Sequence, residues 1–439
     1  MNYQKFFEIA KAKGLDQAQI QVGSSSALSI GLFRHEIESY SVNDSQSIKA
    51  CGIYKGKFGS ARTEKLDKDS FEFLVDQIIL SASLTEKEEE ADLFEGSPKY
   101  KKKNVFNPAL AAVSAADKLA LLRQLEEAIY ACDERVSEVQ VSFAERQSSA
   151  EFYNSFGLKL KQKSNYFYFV GEVVMKQGDE VKTNFDIFLD SDLSKFDVKA
   201  FAENLVKKCA TKFGAETIVS KKYPTVLAYD IVADLVNYFL ASAIADEVQR
   251  HSSFLEGKLG QKIASSKLTI EEKPLTPNVF FTYFDDEGVA TQNKAIVKSG
   301  VLKQYFYNRE TAKKDGVEST GNGAWAGSKI GTSYGNVFVK PGKQTFDELI
   351  APIKEGVYIT EIMGLGTGMN ETSGDFSCQA EGYMIRDGKV AEPLTLITLS
   401  GNLLKMFRDL KGFSCEAKMT TSAICCADAY IKSMSIGGK

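Results

Sequence analysis

Histidine is scarce in this chain: its 439 residues contain two, His35 and His251. Two imidazoles exclude any metal centre built from three histidines, and they leave few candidates for a catalytic dyad that needs one. Recognisable catalytic motifs are missing too. The sequence has no G-x-S-x-G elbow, no Walker P-loop and no Gly-rich dinucleotide loop after a strand.

Long apolar runs and an excess of basic residues are also lacking. No stretch approaches the 18 apolar residues of a membrane span, so we expect no membrane insertion. The first residues lack the apolar segment of a secretory signal, which predicts a cytoplasmic location. The formal net charge of −4 argues against nucleic-acid partners, because these need a basic surface.

The cysteine pattern points to the same compartment. Seven cysteines occur, an odd number, and they are widely scattered with no C-x-x-C pair. This spacing excludes a structural zinc site of the paired-cysteine kind. Reduced thiols are the expected state for such a chain.

Apolar periodicity predicts the secondary structure. The helical period predicts helices at residues 2–14, 67–83, 114–131, 197–213 and 230–250. Alternation predicts strands elsewhere, among them a hairpin of 158–176 with 181–189 that turns at Gln177–Asp179. We therefore expect an α+β protein. Its N-terminal α/β region has a mixed sheet and helices, and its C-terminal domain is β-rich, largely antiparallel and barrel-like.

Charge runs suggest where the chain divides. The acidic run Glu86–Asp92 and the basic run Lys99–Lys103 have no apolar period, so we interpret them as a solvated linker. The predicted regions are listed in chain order: an N-terminal α/β region at 1–85, a charged linker at 86–109, a second α/β region at 110–215 that packs with the first, and the C-terminal domain at 222–438.

One segment has the character of a metal site, Asp246–His251, at the end of the long apolar helix predicted at 230–250. On a regular helix Glu247 and His251 are four residues apart and share a face, so together they could bind a divalent metal. The simpler interpretation is an ion pair at the helix end or a solvated histidine. A catalytic zinc site needs three protein ligands, so this segment provides half a site. His35, in a polar strand region, is expected to be solvated.

Closely spaced glycines mark a second candidate, Gly364, Gly366 and Gly368. No helical pattern follows them, so a phosphate-binding loop is not indicated. A tight turn, or a backbone that another chain approaches closely, is the expected use.

Several short motifs follow one another along the chain. They are Gly52–Thr63, Asn154–Gly157, Phe284–Gln292, Ser299–Lys303, Ser319–Gly323, Gly374–Ser377 and Glu381–Lys389. With these motifs in this order the chain resembles the TldD/PmbA family, often called modulators of DNA gyrase, over roughly 18–85, 110–215 and 222–438, and the third region carries the most specific pieces.

The resemblance implies one of two branches. TldD-like members are similar to metallopeptidases with a His-Glu-x-x-x-His motif, and a cysteine near the C-terminus completes the zinc site. PmbA-like (TldE-like) members lack the motif and are understood as the partner subunit of a heterodimeric protease. Here Asp246 replaces the first histidine, so the PmbA branch is indicated. Cys426 does not decide the branch, because both branches tend to have a cysteine there.

The replacement has a chemical meaning. An aspartate in place of an imidazole adds negative charge and reduces the Lewis acidity of a bound metal. Asp246 and His251 are also five residues apart, about 140° around a regular helix. We therefore expect no catalytic residue and no metal in this chain. The alternative is a site in which Asp246, His251 and Cys426 bind metal and Glu247 is the base.

The resemblance then implies a function. The chain is expected to be a non-catalytic PmbA/TldE-like subunit, with zinc held by a TldD-like partner and unfolded peptides as substrates. Gly364, Gly366 and Gly368 are candidates for the peptide groove. We expect a homodimer when the chain is purified alone. The alternatives are an active metallopeptidase with an atypical Asp/His/Cys site and a modulator of gyrase, which the acidic balance does not support.

Overall fold

A computed structural model describes residues 3–65, 67, 69–84 and 91–439 and divides the chain into two compact units. Unit 1 comprises Met1–Ala210, Pro277–Thr291 and Gly323–Gly331. Unit 2 comprises Thr211–Thr276, Gln292–Asn322 and Thr332–Lys439. Two short segments of the C-terminal half therefore belong to unit 1. The boundaries proposed from the sequence stay a prediction.

The elements of the N-terminal half of the chain alternate between helices and unusually long strands. The helices are α1 Gln4–Ala12, α2 Ser70–Ser83, α3 Pro108–Ala112, α4 Ala115–Cys132 and α5 Val198–Ala210. The strands are β1 Gln17–Phe33, β2 Glu36–Tyr54, β3 Lys57–Thr63, β4 Val136–Asn154, β5 Lys159–Gln177 and β6 Glu180–Asp190.

These strands form one sheet in the order β3-β2-β1-β4-β5-β6, with every neighbouring pair antiparallel. The pairing is thus antiparallel where the sequence suggested a mixed sheet. Alternate residues of β4, such as Val139, Val141 and Phe143, are buried, as are Leu122 and Ile129 of α4. Because β1 pairs with β4, residues from before and after the charged linker share this sheet.

The predicted linker is only partly solvated. Residues 85–90, with most of the acidic run, lie outside the described residues. Lys101 to Lys103 are exposed, as their charge requires. Leu93, however, is buried, and its N–H donates a 2.6 Å hydrogen bond to the side-chain oxygen of Gln17. A buried leucine anchored to β1 is the reason this part of the segment departs from the prediction.

The remaining elements are shorter. The strands are β7 Lys221–Leu227, β8 Ile270–Glu272, β9 Lys294–Lys298, β10 Val301–Leu302, β11 Gly323–Ala326, β12 Lys329–Thr332, β13 Val337–Val339, β14 Glu355–Met363, β15 Asp375–Arg386, β16 Lys389–Asn402, β17 Leu410–Phe413, β18 Lys418–Met419, β19 Ile424–Cys426 and β20 Ala429–Gly437. The helices are α6 Tyr229–Ala241, α7 Ala245–Gln249, α8 Arg309–Asp315, α9 Phe346–Ile350, α10 Leu365–Gly368 and α11 Leu403–Arg408.

Unit 2 is built on a closed five-stranded barrel. Its strands follow the order β16-β15-β14-β7-β20, and β20 pairs back with β16. Only the β14–β7 pair within this ring is parallel. A second sheet has the order β10-β9-β8-β13-β19-β18. The expected α+β class with a β-rich, barrel-like C-terminal domain is confirmed. Within the described part of the chain, none of the helices is long and apolar enough for a membrane crossing.

The helix predicted at 230–250 is broken in the structure. Its first part is α6, whose Leu235, Val236 and Phe239 belong to the core of unit 2. Ile244 is extended and forms a bridge with Phe306, and the N–H of Phe306 donates to the carbonyl of residue 243 at 2.9 Å. This pairing takes the backbone out of the helix, which resumes as α7 for five residues.

Candidate functional site

The end of α7 at Gln249 separates the residues of the predicted metal segment. Asp246 and Glu247 lie in the first turn of α7, whereas His251 lies beyond its end with φ of +59°. A positive φ cannot continue a right-handed helix. The expectation that Glu247 and His251 share a helical face is therefore wrong, because α7 ends at Gln249 and the positive φ of His251 turns the backbone away.

The Glu247 carboxylate is occupied by neighbours on both oxygens. The Arg250 guanidinium donates to Oε1, and the Ser252 hydroxyl donates to Oε2 at 2.6 Å. Both carboxylate oxygens are therefore engaged by side chains of the same segment. The side chain thus has a local role at the end of α7.

His251 faces solvent. Its side chain is 79% exposed, and its Nδ1 atom lies 2.6 Å from Oε1 of Glu256. An exposed pair of this kind is worth little to stability, about 0–1 kcal/mol. His35, the other histidine, belongs to unit 1 and lies in the turn between β1 and β2. It is also largely exposed but not merely solvated, because Nδ1 is 3.4 Å from the buried carboxylate of Glu126.

Asp246 has the one unsatisfied oxygen in this segment. Its Oδ2 atom is buried and has no hydrogen-bond partner among the described residues. Leaving a buried carboxylate oxygen unpaired costs free energy. This atom is therefore an unused acceptor for a water molecule or a cation.

Cys426 lies on β19 and contacts the opposite end of α6. It is fully buried, and its thiol donates to the carbonyl oxygen of Tyr229, the first residue of α6, at 2.9 Å. Burial raises the pKa of the Cys426 thiol well above its ordinary value, and Cys425 and Asp230 raise it further. A zinc ligand has to be a thiolate, whereas here the thiol donates its proton to the Tyr229 carbonyl.

The three candidate ligands therefore do not fit a zinc ion. The 13 residues of α6 separate Tyr229 from the turn before Asp246, a length of about 20 Å. In the parts of the chain that the structure describes, no group of three or more His, Cys, Asp or Glu side chains is arranged to hold a metal. The structure does not bring Asp246, His251 and Cys426 together.

Two of the three groove glycines have a role within the chain itself. Gly364 has φ of +76° and caps α10. A Cβ atom on Gly368 would lie 2.0 Å from the carbonyl oxygen of Ser377. Gly366 differs, because the nearest atom to an added Cβ is the Tyr238 hydroxyl at 3.7 Å, an ordinary contact. Internal packing does not require glycine at position 366.

The motif Phe284–Gln292 organises a loop in unit 1. Asp285 is buried, and its carboxylate accepts from the N–H groups of Glu287 and Val289 at 2.9 Å and of Gly323 at 2.8 Å. Burial raises the pKa of Asp285, and the neighbouring Glu287 raises it further. The side chain therefore ties the two C-terminal segments of unit 1 together.

A buried ion pair in unit 2 was not predicted. Glu272 and Lys294 pair with side chains 3% and 5% exposed. Glu272 Oε1 also accepts from Asn322 at 2.9 Å and from the Gly335 N–H at 3.0 Å. Lys294 donates to the carbonyl of Thr320 at 2.8 Å. In the sequence, the signal for this pair was a charged residue inside each of two short strands, Glu272 in β8 and Lys294 in β9. The sequence did not show that these two residues pair with each other.

Asp428 was also missed. It lies between β19 and β20, and its Oδ1 accepts from the N–H of Tyr229 at 2.8 Å. Burial raises the pKa of Asp428 to about 6, and the charge of Asp230 adds to the effect, although the bond from Tyr229 lowers it. The carboxyl thus caps α6 beside Cys426.

Comparisons with known proteins identify the family. The family model of the PmbA/TldA metallopeptidase C-terminal domain matches residues 220–438, and that of the central domain matches residues 108–213. Metalloprotease PmbA of Escherichia coli O157:H7 is 24% identical over 98% of this chain and 94% of its own length.

Two solved structures share the fold over 99% of both chains. The crystal structure of a protein named as a modulator of a DNA gyrase, from Thermotoga maritima, has a TM-score of 0.91 at 25% identity. TldE from Thermococcus kodakarensis has a TM-score of 0.91 at 22% identity, which speaks for the fold alone. Together with the motif series, these matches show that the chain belongs to the PmbA/TldD family as a PmbA/TldE-like, metallopeptidase-like protein.

Proposed function

We propose that this chain is a non-catalytic PmbA/TldE-like subunit that pairs with a TldD-like metallopeptidase and helps it act on unfolded peptides. The observation that carries the proposal is the state of Glu247, whose two oxygens are held by Arg250 and Ser252. In a metallopeptidase the corresponding carboxylate takes a proton from metal-bound water. Zinc is then expected in the partner and not in this chain.

Peptide handling by the complex suits a β-rich unit. An extended peptide can add to a strand edge through main-chain hydrogen bonds, a mode that tolerates many sequences. Gly366 supports a groove at α10, because the chain's own packing leaves room beside it. A Gly366→Ala variant should keep the fold and weaken peptide binding if this groove is used.

Co-expression with a TldD-like partner tests the proposal. A stable complex should form, with peptidase activity on an unfolded protein substrate. Glu247→Gln in this chain should leave that activity unchanged, whereas Glu→Gln at the partner's own motif should abolish it. Glu256→Gln, which alters a neighbouring carboxylate paired with His251, is the matched control for the local charge. Loss of activity on Glu247→Gln alone would refute the non-catalytic assignment.

The second candidate is an active metallopeptidase with an atypical Asp/His/Cys site, which would require Asp246, His251 and Cys426 to move together from the positions they have here. The unpartnered Oδ2 of Asp246 is the observation that favours it, because a metal would satisfy that atom. This candidate requires the chain alone to cleave peptides and to lose a bound metal on Asp246→Asn. Activity of the isolated chain that a chelator abolishes would support it over the subunit proposal.

A further inference from the structure

A cavity of about 220 Å³ lies within unit 1, outside the family's metal segment. It is bounded by β2 and β3, by α2 and by the hairpin of β11 and β12. Its walls include two cations, Lys49 and Arg62, and two aromatic rings, Phe73 and Trp325. A site for a drug-sized ligand usually measures roughly 300–1,000 Å³, so this cavity suits a single side chain.

The aromatic wall is held in place by polar contacts. The indole N–H of Trp325 donates to the side-chain oxygen of Gln21 at 2.8 Å, and its backbone N–H donates to Oδ2 of Asp286 at 2.9 Å. The hydroxyl of Ser60 donates to the carbonyl of Ser328 in the same hairpin at 2.7 Å. Because these bonds fix the ring before any ligand arrives, binding would cost little ordering of the site.

The two cations are placed against each other. Lys49 of β2 and Arg62 of β3 are directly opposite in the strand register, so their side chains project from the same face of the sheet. Like charges at such positions repel. No Asp or Glu is among the described residues that line the cavity, although Asp286, which is bonded to the backbone of Trp325, interacts with the charge of Lys49 from behind the wall. An anion bound between the two side chains would remove this repulsion.

An apolar surface adjoins the cations. The Lys49 ammonium lies 5.8 Å from the centre of the Trp325 ring, and Phe73 of α2 is 49% exposed at the cavity. An arginine presents two N–H groups that match the two oxygens of a carboxylate. Aromatic rings beside it favour an apolar or aromatic side chain. A single residue with a free carboxylate and an apolar or aromatic side chain would contact both the cations and the rings.

We propose that this cavity binds the C-terminal residue of a peptide, with its carboxylate between Lys49 and Arg62 and an aromatic side chain against Trp325. The peptide identity rests on the proposed function, whereas recognition of an aromatic carboxylate rests on the cavity alone. The site would retain a peptide by its end while the partner subunit acts elsewhere along it.

The chain's composition supplies the assay. Trp325 is the single tryptophan among 439 residues, so its intrinsic fluorescence reports on this cavity without labelling. The purified full chain is titrated with N-acetyl-Gly-Gly-Phe carrying a free carboxylate, with its C-terminal amide and with 3-phenylpropionate. We expect a saturable change with the carboxylate peptide, about tenfold weaker binding of the amide and binding of 3-phenylpropionate weaker than that of the peptide.

Arg62→Gln should weaken binding of the carboxylate peptide by about tenfold and leave the weak binding of the amide unchanged. Arg123→Gln, the same change at an exposed position of α4, is the matched control and should have no effect. Titration calorimetry on the same variants measures binding directly, so it shows whether a change in Trp325 fluorescence reflects binding.

Equal affinity for acid and amide, or an unchanged affinity in Arg62→Gln, would overturn the proposal. Tighter binding of 3-phenylpropionate than of the peptide would identify a small aromatic acid and overturn the peptide identity. The titration contains no partner subunit, so its failure leaves the subunit assignment intact. Conversely, loss of complex activity on Glu247→Gln would refute the subunit assignment, but it would not affect the proposal that this cavity recognises an aromatic carboxylate.

Discussion

Removing the Lys294 ammonium should destabilise unit 2 more than any surface substitution. Glu272 and Lys294 are almost fully buried, and the lysine is the partner of Glu272 Oε2. In Lys294→Met the apolar stem is retained but the charge of Glu272 loses its counterion. Breaking a buried pair from one side typically costs about 3–5 kcal/mol in the free energy of unfolding, because an uncompensated charge stays buried.

A second substitution separates this cause from simple loss of packing. Gln at position 272 keeps the Oε1 acceptor for Asn322 and Gly335 but carries no charge. The double variant Glu272→Gln/Lys294→Met should therefore lose chiefly the bond from Lys294 to Thr320, about 1–2 kcal/mol. It should be more stable than Lys294→Met by about 2 kcal/mol.

Urea unfolding followed by far-ultraviolet circular dichroism measures these differences. Trp325 belongs to unit 1, so its fluorescence does not report on unit 2. Lys314→Met is the matched control, because Lys314 pairs with Glu310 on the surface at 3.1 Å. This variant should stay within about 0.5 kcal/mol of the parent. The reasoning is refuted if the double variant is no more stable than the single one.

Two further predictions concern unit 2. Asp428 has a folded pKa of about 6, raised from 3.8, so its ionisation weakens the native state as pH rises through that interval. Asp428→Asn keeps the acceptor for the Tyr229 N–H but carries no charge. It should therefore stabilise the protein by about 1–3 kcal/mol near pH 8 and have almost no effect near pH 4. Urea midpoints at both pH values check this, and a variant less stable than the parent at pH 8 would contradict it. Gly368→Ala should lower the free energy of unfolding by about 1–3 kcal/mol, since its Cβ would lie 2.0 Å from the Ser377 carbonyl oxygen, whereas Gly366→Ala should not. Equal stability of the two glycine variants would show that the backbone at Ser377 can move.

Local patterns predicted much of the fold. The hairpin turn at Gln177–Asp179 is observed, with β5 ending at Gln177 and β6 beginning at Glu180. Strand continuity was harder to predict, because polar residues at 145–147 interrupt the apolar pattern of β4. Strand β4 continues through these residues, because the buried carboxylate of Glu145 pairs with Lys118 of α4 at 2.5 Å. Such compensation depends on a distant partner and leaves no trace in the local sequence.

The geometry of the candidate site also depends on residues that are distant in the sequence. The sequence indicated Asp246 as the residue that departs from the family motif, and this is the one with an unpaired buried oxygen. It could not indicate that the helix ends early, because the cause is Phe306, 62 residues beyond Ile244. Nor could it place Cys426 at the start of α6, a contact made across nearly 200 residues. Long-range pairing decided the geometry in each case.

Metal analysis of the purified chain tests the central claim most directly. The protein is prepared without chelator in zinc-supplemented medium, and zinc is measured by elemental analysis in the parent, Asp246→Asn and Cys426→Ala forms. We expect far less than one zinc per chain in all three forms, because the buried Cys426 thiol and Asp246 are separated by the length of α6. One tightly held zinc per chain, lost in both variants, would contradict this expectation and show that Asp246 and Cys426 hold a metal.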